Sequence, residues 1–170
     1  MDAFKISYTG LKIGTHQFDF KINKEFFNSI EYSELHDGNV DFTLYLHKQE
    51  RLMELDFEFS GFVNVQCDRC LAFYNQEISG KEKLFVKFGK DDSEGNETVI
   101  VLSEKEHQLD ITHYIYEFIM LSLPYKCIHP EDEEGNSLCN PEMIERIENH
   151  AKSGSTDHRW DALKKLKNNK

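Results

Sequence analysis

Two neighbouring stretches of strict alternation constrain this chain more than anything else in it. In residues 40–46, Val40, Phe42, Leu44 and Leu46 alternate with Asp41, Thr43 and Tyr45; in residues 53–60, Met53, Leu55, Phe57 and Phe59 alternate with Glu54, Asp56, Glu58 and Ser60. A period of two gathers the apolar side chains on one face of an extended chain, whereas a helix would scatter them. The polar residues 47–51 between the runs suit a hairpin connection, so the pair is predicted to be antiparallel, with one wet face and one buried face. The buried face needs cover, and 13 Phe and 7 Tyr supply large areas for it although the hydrophobic share is 39%. A folded chain with one sizeable core follows from these residues and a length of 170.

The alternation continues on both sides of this hairpin. Gly61 marks a bend or bulge, residues 62–67 form a further extended run, and residues 73–78 return antiparallel to it after the turn Cys67-Asp68-Arg69-Cys70. Leu84, Val86 and Phe88 make another run, residues 89–96 an exposed acidic loop, and residues 98–102 a β-branched strand. Nearer the start, residues 4–8, 11–14 and 18–22 read as short strands and residues 25–30 as one or two helical turns.

After Leu109 the period changes to that of a helix. Asp110 is placed to cap it, Ile111, Ile115, Phe118, Ile119 and Ser122 follow its three-and-four spacing, Met120, Leu121 and Leu123 widen the apolar face, and Pro124 ends it. A second helix is expected from Asn140 as N-cap and Pro141 as first residue, with Ile144, Ile147 and Ala151 on one side. A short amphipathic helix over residues 157–166 would follow the flexible Ser153-Gly154-Ser155-Thr156 link. The predicted class is α+β: an antiparallel β-rich body, as a sheet or partly open barrel, with two or three C-terminal helices. Residues 1–125 form that body, including the buried helix near 110–123. Residues 126–170 comprise an acidic loop, a helix and a basic C-terminal tail, packed on the body or extending from it.

A formal charge of −11 opposes a broad electrostatic grip on nucleic acid, so any RNA contact has to be local. The charge is polarised: residues 131–149 carry −6, whereas residues 152–170 carry +4. No stretch has the apolar length of a membrane-crossing helix, and Met1-Asp2-Ala3-Phe4-Lys5 lacks a secretory pattern. The expectation is a soluble, cytoplasmic protein with no membrane partner, whose four cysteines are reduced thiols or metal ligands.

Cys67 and Cys70, two thiols separated by two residues, can hold half of a structural zinc site, with Cys127 and Cys139 completing it or His129 as an alternative. Spacing alone favours ordinary reduced thiols, because Cys127 and Cys139 do not form a second tight knuckle. A catalytic dithiol is less favoured still, since the pair follows a strand run instead of opening a helix. No nucleophile elbow, phosphate-binding glycine loop, dinucleotide fingerprint or His-x-x-x-His pair is present, which argues against an enzyme. His47, His107, His113 and His150 read as surface or capping residues. A carboxylate-bound Mg(II) nuclease would need acids gathered only by the fold. In the tail, Trp160 is expected to dock on the body, while Arg159, Trp160, Lys164 and Lys165 are the candidate contacts to phosphate, an unpaired base or a protein pocket.

Three segments in this order, Cys67-Asp-Arg-Cys-Leu71, the run from Leu109 to Pro124, and Asp157-His-Arg-Trp-Asp-Ala-Leu-Lys-Lys-Leu166, resemble the YceD family of large ribosomal RNA subunit accumulation proteins. The resemblance implies a non-enzymatic bacterial factor, also represented in plant plastids, needed for accumulation or processing of large-subunit ribosomal RNA. Similar proteins tend to be encoded beside a large-subunit ribosomal protein. Cys67, Cys70, Asp157, Arg159 and Trp160 match the family's recurrent pattern. Many relatives carry a denser cysteine cluster after the proline that ends the long helix; here an acidic insert separates Cys127 from Cys139.

The expected function is therefore support of large-subunit ribosomal RNA accumulation or processing through contact with precursor RNA or a basic ribosomal protein. No cofactor is required by this reading, although a structural zinc fits it. The rival is a zinc-stabilised or thiol-responsive protein interaction module unrelated to RNA.

Overall fold

The computed structural model describes residues 3–89, 99–103 and 106–152. The chain divides into two compact units, one formed by Met1–Gln66 with Phe73–Cys127 and the other by Cys67–Ala72 with Ile128–Lys170. The Cys67–Ala72 turn groups with the later segment of the chain.

In the first unit a five-stranded sheet has the order β2-β3-β4-β5-β6, built from β2 (Gly14–Ile22), β3 (Gly38–Lys48), β4 (Leu52–Gln66), β5 (Phe73–Phe88) and β6 (Val99–Leu102). A separate two-stranded sheet pairs β1 (Lys5–Ser7) with β7 (Gln108–Asp110). The hairpin predicted from the alternating runs is the β3–β4 pair, with Phe42 opposite Phe59, Leu44 opposite Phe57 and Leu46 opposite Leu55. These side chains are buried on one face, where the Phe42 and Phe59 rings stack at 4.7 Å.

Helices α1 (Lys24–Ser29) and α2 (Thr112–Ser122) contribute Phe26, Phe27, Ile115, Phe118 and Ile119 to the same core. Phe118 of α2 lies 5.2 Å from the ring of Phe57. Asn23 caps α1 by accepting from the amides of Glu25 and Phe26. Asp110 ends β7 instead of occupying the cap position of α2, yet its carboxylate still accepts from the Thr112 amide at 2.9 Å. The opposite sheet face is polar, with His47 bonded to Asp56 at 3.1 Å and Lys83 contacting Asp56 and Glu54.

Three expectations are corrected. Gly61 is no bulge: β4 runs unbroken through it, with Gly61 in register opposite both Val40 and Ile78. A Cβ on Gly61 would lie 2.2 Å from the Asn39 carbonyl oxygen, so the residue marks a close backbone approach within the sheet. The runs at 73–78 and 84–88 are likewise one strand, continuous through Gly80, where a Cβ would meet the Phe59 ring at 2.5 Å. β6 pairs with β5 in parallel within an otherwise antiparallel five-stranded sheet, a direction that alternation does not report because it encodes only which face is buried. Residues 11–13 lie outside any strand, and β2 begins at Gly14.

In the second unit, α3 (Pro141–Lys152) starts as predicted, with the Asn140 side chain accepting from the Glu142 amide at 3.0 Å. The side of α3 that carries Ile144, Ile147 and Ala151 is only partly covered; Ile147 is 44% exposed. The expected helix at 157–166, together with Arg159, Trp160, Lys164 and Lys165, lies outside the described residues, as do residues 90–96 of the acidic loop. Among the described residues, no helix is long and apolar enough to cross a membrane.

Candidate metal centre

The second unit gathers Cys67, Cys70, His129 and Cys139 so closely that one potential ligand atom from each lies within 4.8 Å of all the others. Two local structures bring them there. The first is the turn of Cys67–Ala72. The Cys67 amide donates to the Ala72 carbonyl at 2.9 Å, the Leu71 amide donates to the Cys67 carbonyl at 2.9 Å, and the Arg69 amide points at the Cys67 sulfur at 3.4 Å. Leu71 closes the turn with φ of 60°, a left-handed conformation that is unfavourable for a branched side chain.

The second structure is the acidic insert itself, which is more than a solvated loop. Glu131 bridges to Ser137, the Asp132 amide donates to the Asn136 carbonyl, and the Leu138 amide donates to the Pro130 carbonyl. The Asp132 carboxylate accepts from the amides of Glu134 and Asn136, and Gly135 supplies φ of 82°. This small hairpin reverses the chain so that His129 and Cys139, ten residues apart, meet with Nδ1 and Sγ separated by 3.9 Å. Hydrogen bonds from Asn136, backbone first and then side chain, hold the Asp132 carboxyl below its ordinary value.

Two of the distances between ligand atoms are close to those of a tetrahedral metal site. Zinc with Zn–S near 2.3 Å and Zn–N near 2.05 Å places two sulfur ligands about 3.8 Å apart and a sulfur and nitrogen about 3.6 Å apart. The Cys67 and Cys139 sulfurs are 3.8 Å apart, and the Cys70 sulfur lies 3.4 Å from His129 Nδ1. The three cysteines are buried and His129 is half-buried, so an ion held here would be largely shielded from water. Among the described residues this is the one group of His, Cys and acidic side chains gathered so tightly.

The electrostatics are equally uneven. Burial pushes the Cys67 thiol up, but hydrogen bonds from the Cys70, His129 and Arg69 amides and the His129 ring outweigh it and bring the thiol down to about 6. Cys139 moves the other way: its contact with Ser137 lowers it, but burial and the neighbouring Cys67 and Cys70 raise it beyond that. Without an ion, one thiolate therefore discourages the next; a divalent cation removes that conflict because it needs the thiolates deprotonated together.

Of the ligands expected from sequence, Cys67, Cys70 and Cys139 come together, and the alternative fourth residue, His129, joins them. Cys127 does not: it belongs to the other unit, packs against the hydrophobic core there and directs its thiol to the Pro124 carbonyl at 3.7 Å. The signal for the His129–Cys139 pair was the turn chemistry between them, with Asp132 and Gly135-Asn136 at hairpin spacing. Of the surface histidines, His47 sits in the exposed polar network and His113 pairs with Glu117 one helical turn on, at 2.8 Å.

No curated protein and no solved structure shows significant similarity to the chain. A family's sequence profile does match, described as Large ribosomal RNA subunit accumulation protein YceD, and its match spans the sheet strands from Leu55 onward, both halves of the Cys₃His cluster and the terminal basic segment. With residues 55–167 matched, the chain belongs to the YceD family, whose role is the accumulation of large-subunit ribosomal RNA.

Proposed function

We propose that the protein supports maturation of large-subunit ribosomal RNA in the cytoplasm as a non-enzymatic assembly factor, acting through precursor RNA or a basic ribosomal protein. The family match over residues 55–167 is the observation that carries this reading. The chemistry of the cluster agrees with it: Cys67, Cys70, His129 and Cys139 make a complete Cys₃His donor set, and four protein ligands leave a tetrahedral zinc no open position for substrate. Such an ion is structural, and its work is to fasten the Cys67–Ala72 turn to the hairpin that precedes α3.

The zinc-stabilised interaction module is thereby part of the same account. Net charge favours a basic partner, and any direct RNA contact would draw on the +4 segment at residues 152–170. The test is pulse-labelling of RNA in cells depleted of the protein. Precursors of large-subunit RNA should build up relative to the mature form while small-subunit RNA matures normally; equal maturation of both would overturn the proposal.

A further inference from the structure

The metal cluster carries exposed apolar residues at its edges. Leu71 follows Cys70, Leu138 precedes Cys139 and Ile128 precedes His129, and these side chains are 57%, 55% and 40% exposed. Since the ligand atoms lie within 4.8 Å of one another, the three flanking Cα atoms fall within about 18 Å, inside the footprint of one ordinary protein contact. Leu71 is the most telling of them. Its φ of 60° is a position where glycine would be unstrained, yet the chain places a large apolar side chain there and leaves it mostly in water. The hairpin between Ile128 and Leu138 is strongly acidic, carrying Glu131, Asp132, Glu133 and Glu134 with no Lys or Arg in residues 128–140.

We propose that Leu71, Leu138 and Ile128 anchor a partner protein segment that is rich in lysine and arginine and carries apolar side chains of its own. Apolar anchors amid same-sign charge select such a segment: the anchors supply the buried contact, and the acids attract the basic residues and repel phosphate. This rests on the ribosome-assembly reading and narrows it to a protein contact in place of an RNA contact at this surface. The cluster's role is to hold the two anchor-bearing segments at fixed separation.

The experiment uses the zinc-loaded full chain against individually purified basic proteins of the large ribosomal subunit and, separately, against a protein-free large-subunit RNA transcript, by fluorescence anisotropy. Binding to at least one basic protein is expected, weakened at least tenfold by Leu71→Gly and by Leu138→Ser. Leu71→Gly should unfold no earlier than the parent, because glycine relieves the left-handed strain, so loss of binding would not be loss of fold. Leu138→Ser, with its zinc content measured, serves as the second variant. Failure to bind any of the basic proteins, unchanged affinity in both variants, or an effect of the variants on RNA binding or self-association instead would overturn the proposal. The broader reading stands or falls separately, on RNA maturation in depleted cells.

Discussion

Withdrawing zinc from the Cys₃His cluster should destabilise the protein by the free energy with which the folded chain alone binds the ion. Cys67 and Cys139 lie 72 residues apart in sequence but have their sulfurs 3.8 Å apart. The unfolded chain holds no such site, so an ion that binds only the folded chain stabilises it by RT ln(1 + c/Kd), with c the free zinc concentration, or about 4 kcal/mol when c is about a thousandfold above Kd. For a chain of this size each kcal/mol moves Tm by about 2–4 °C, so chelation should lower it by about 8–16 °C. Scanning calorimetry on the zinc-loaded chain, the chelated chain and the chain after zinc is restored measures this directly, with metal content followed by mass spectrometry. Cys139→Ser should reproduce both the loss of metal and the lower Tm, whereas Cys127→Ser should retain one zinc per chain. A shift below about 2 °C on chelation would refute the assignment of a structural ion. So would a Cys127→Ser variant that loses zinc as completely as Cys139→Ser.

Further predictions concern the sheet and the thiols. Gly61→Ala, whose new Cβ would sit 2.2 Å from a backbone oxygen, should destabilise by about 3 kcal/mol or more in urea unfolding; a change within about 0.5 kcal/mol would show that β3 and β4 separate easily. Phe57→Ala removes a fully buried ring that meets Phe42 and Phe118 and should destabilise by about 3–5 kcal/mol in the same assay, with a loss under about 1 kcal/mol contradicting the assigned core. In the metal-free protein the Cys67 thiol is lowered to about 6 from an ordinary value of 9.0. Because the folded value is the lower one, its contribution to stability is full above pH 9 and fades as pH falls toward 6. Urea midpoints should therefore rise between pH 6 and 9 in the parent and lose most of that slope in Cys67→Ser; an unchanged slope would place the titration elsewhere.

The hairpin at the centre of the sheet was legible because alternation states which side chains are buried, whereas its register, with Leu46 opposite Leu55, is set by the turn and was not. Strand length was harder to read. Gly61 suggested a bend or bulge, and residues 73–78 and 84–88 read as separate runs, but Gly61 and Gly80 are each the small residue required by a neighbour across the ladder, a relation visible only once Asn39 and Phe59 are in place. The parallel pairing of β6 escaped for a different reason, since alternation carries no direction.

At the metal centre, Cys67 and Cys70 announced themselves by spacing. Their partners did not, because Asp132, Gly135 and Asn136, the turn formers that bring His129 to Cys139, lie within an acidic stretch whose composition is that of a solvated loop. Cys127 was attractive by element type alone, yet its thiol is directed to the end of α2. The left-handed Leu71 had no sequence signature at all, as glycine would be the ordinary residue at such a position.

The central claim, that this metal-clamped chain serves the large ribosomal subunit, is tested most directly by the ratio of mature large-subunit to small-subunit RNA in cells depleted of the protein and complemented with either the parent or Cys139→Ser. The account predicts a ratio that falls on depletion, returns with the parent and stays low with Cys139→Ser at equal expression. A ratio that depletion leaves unchanged would contradict it.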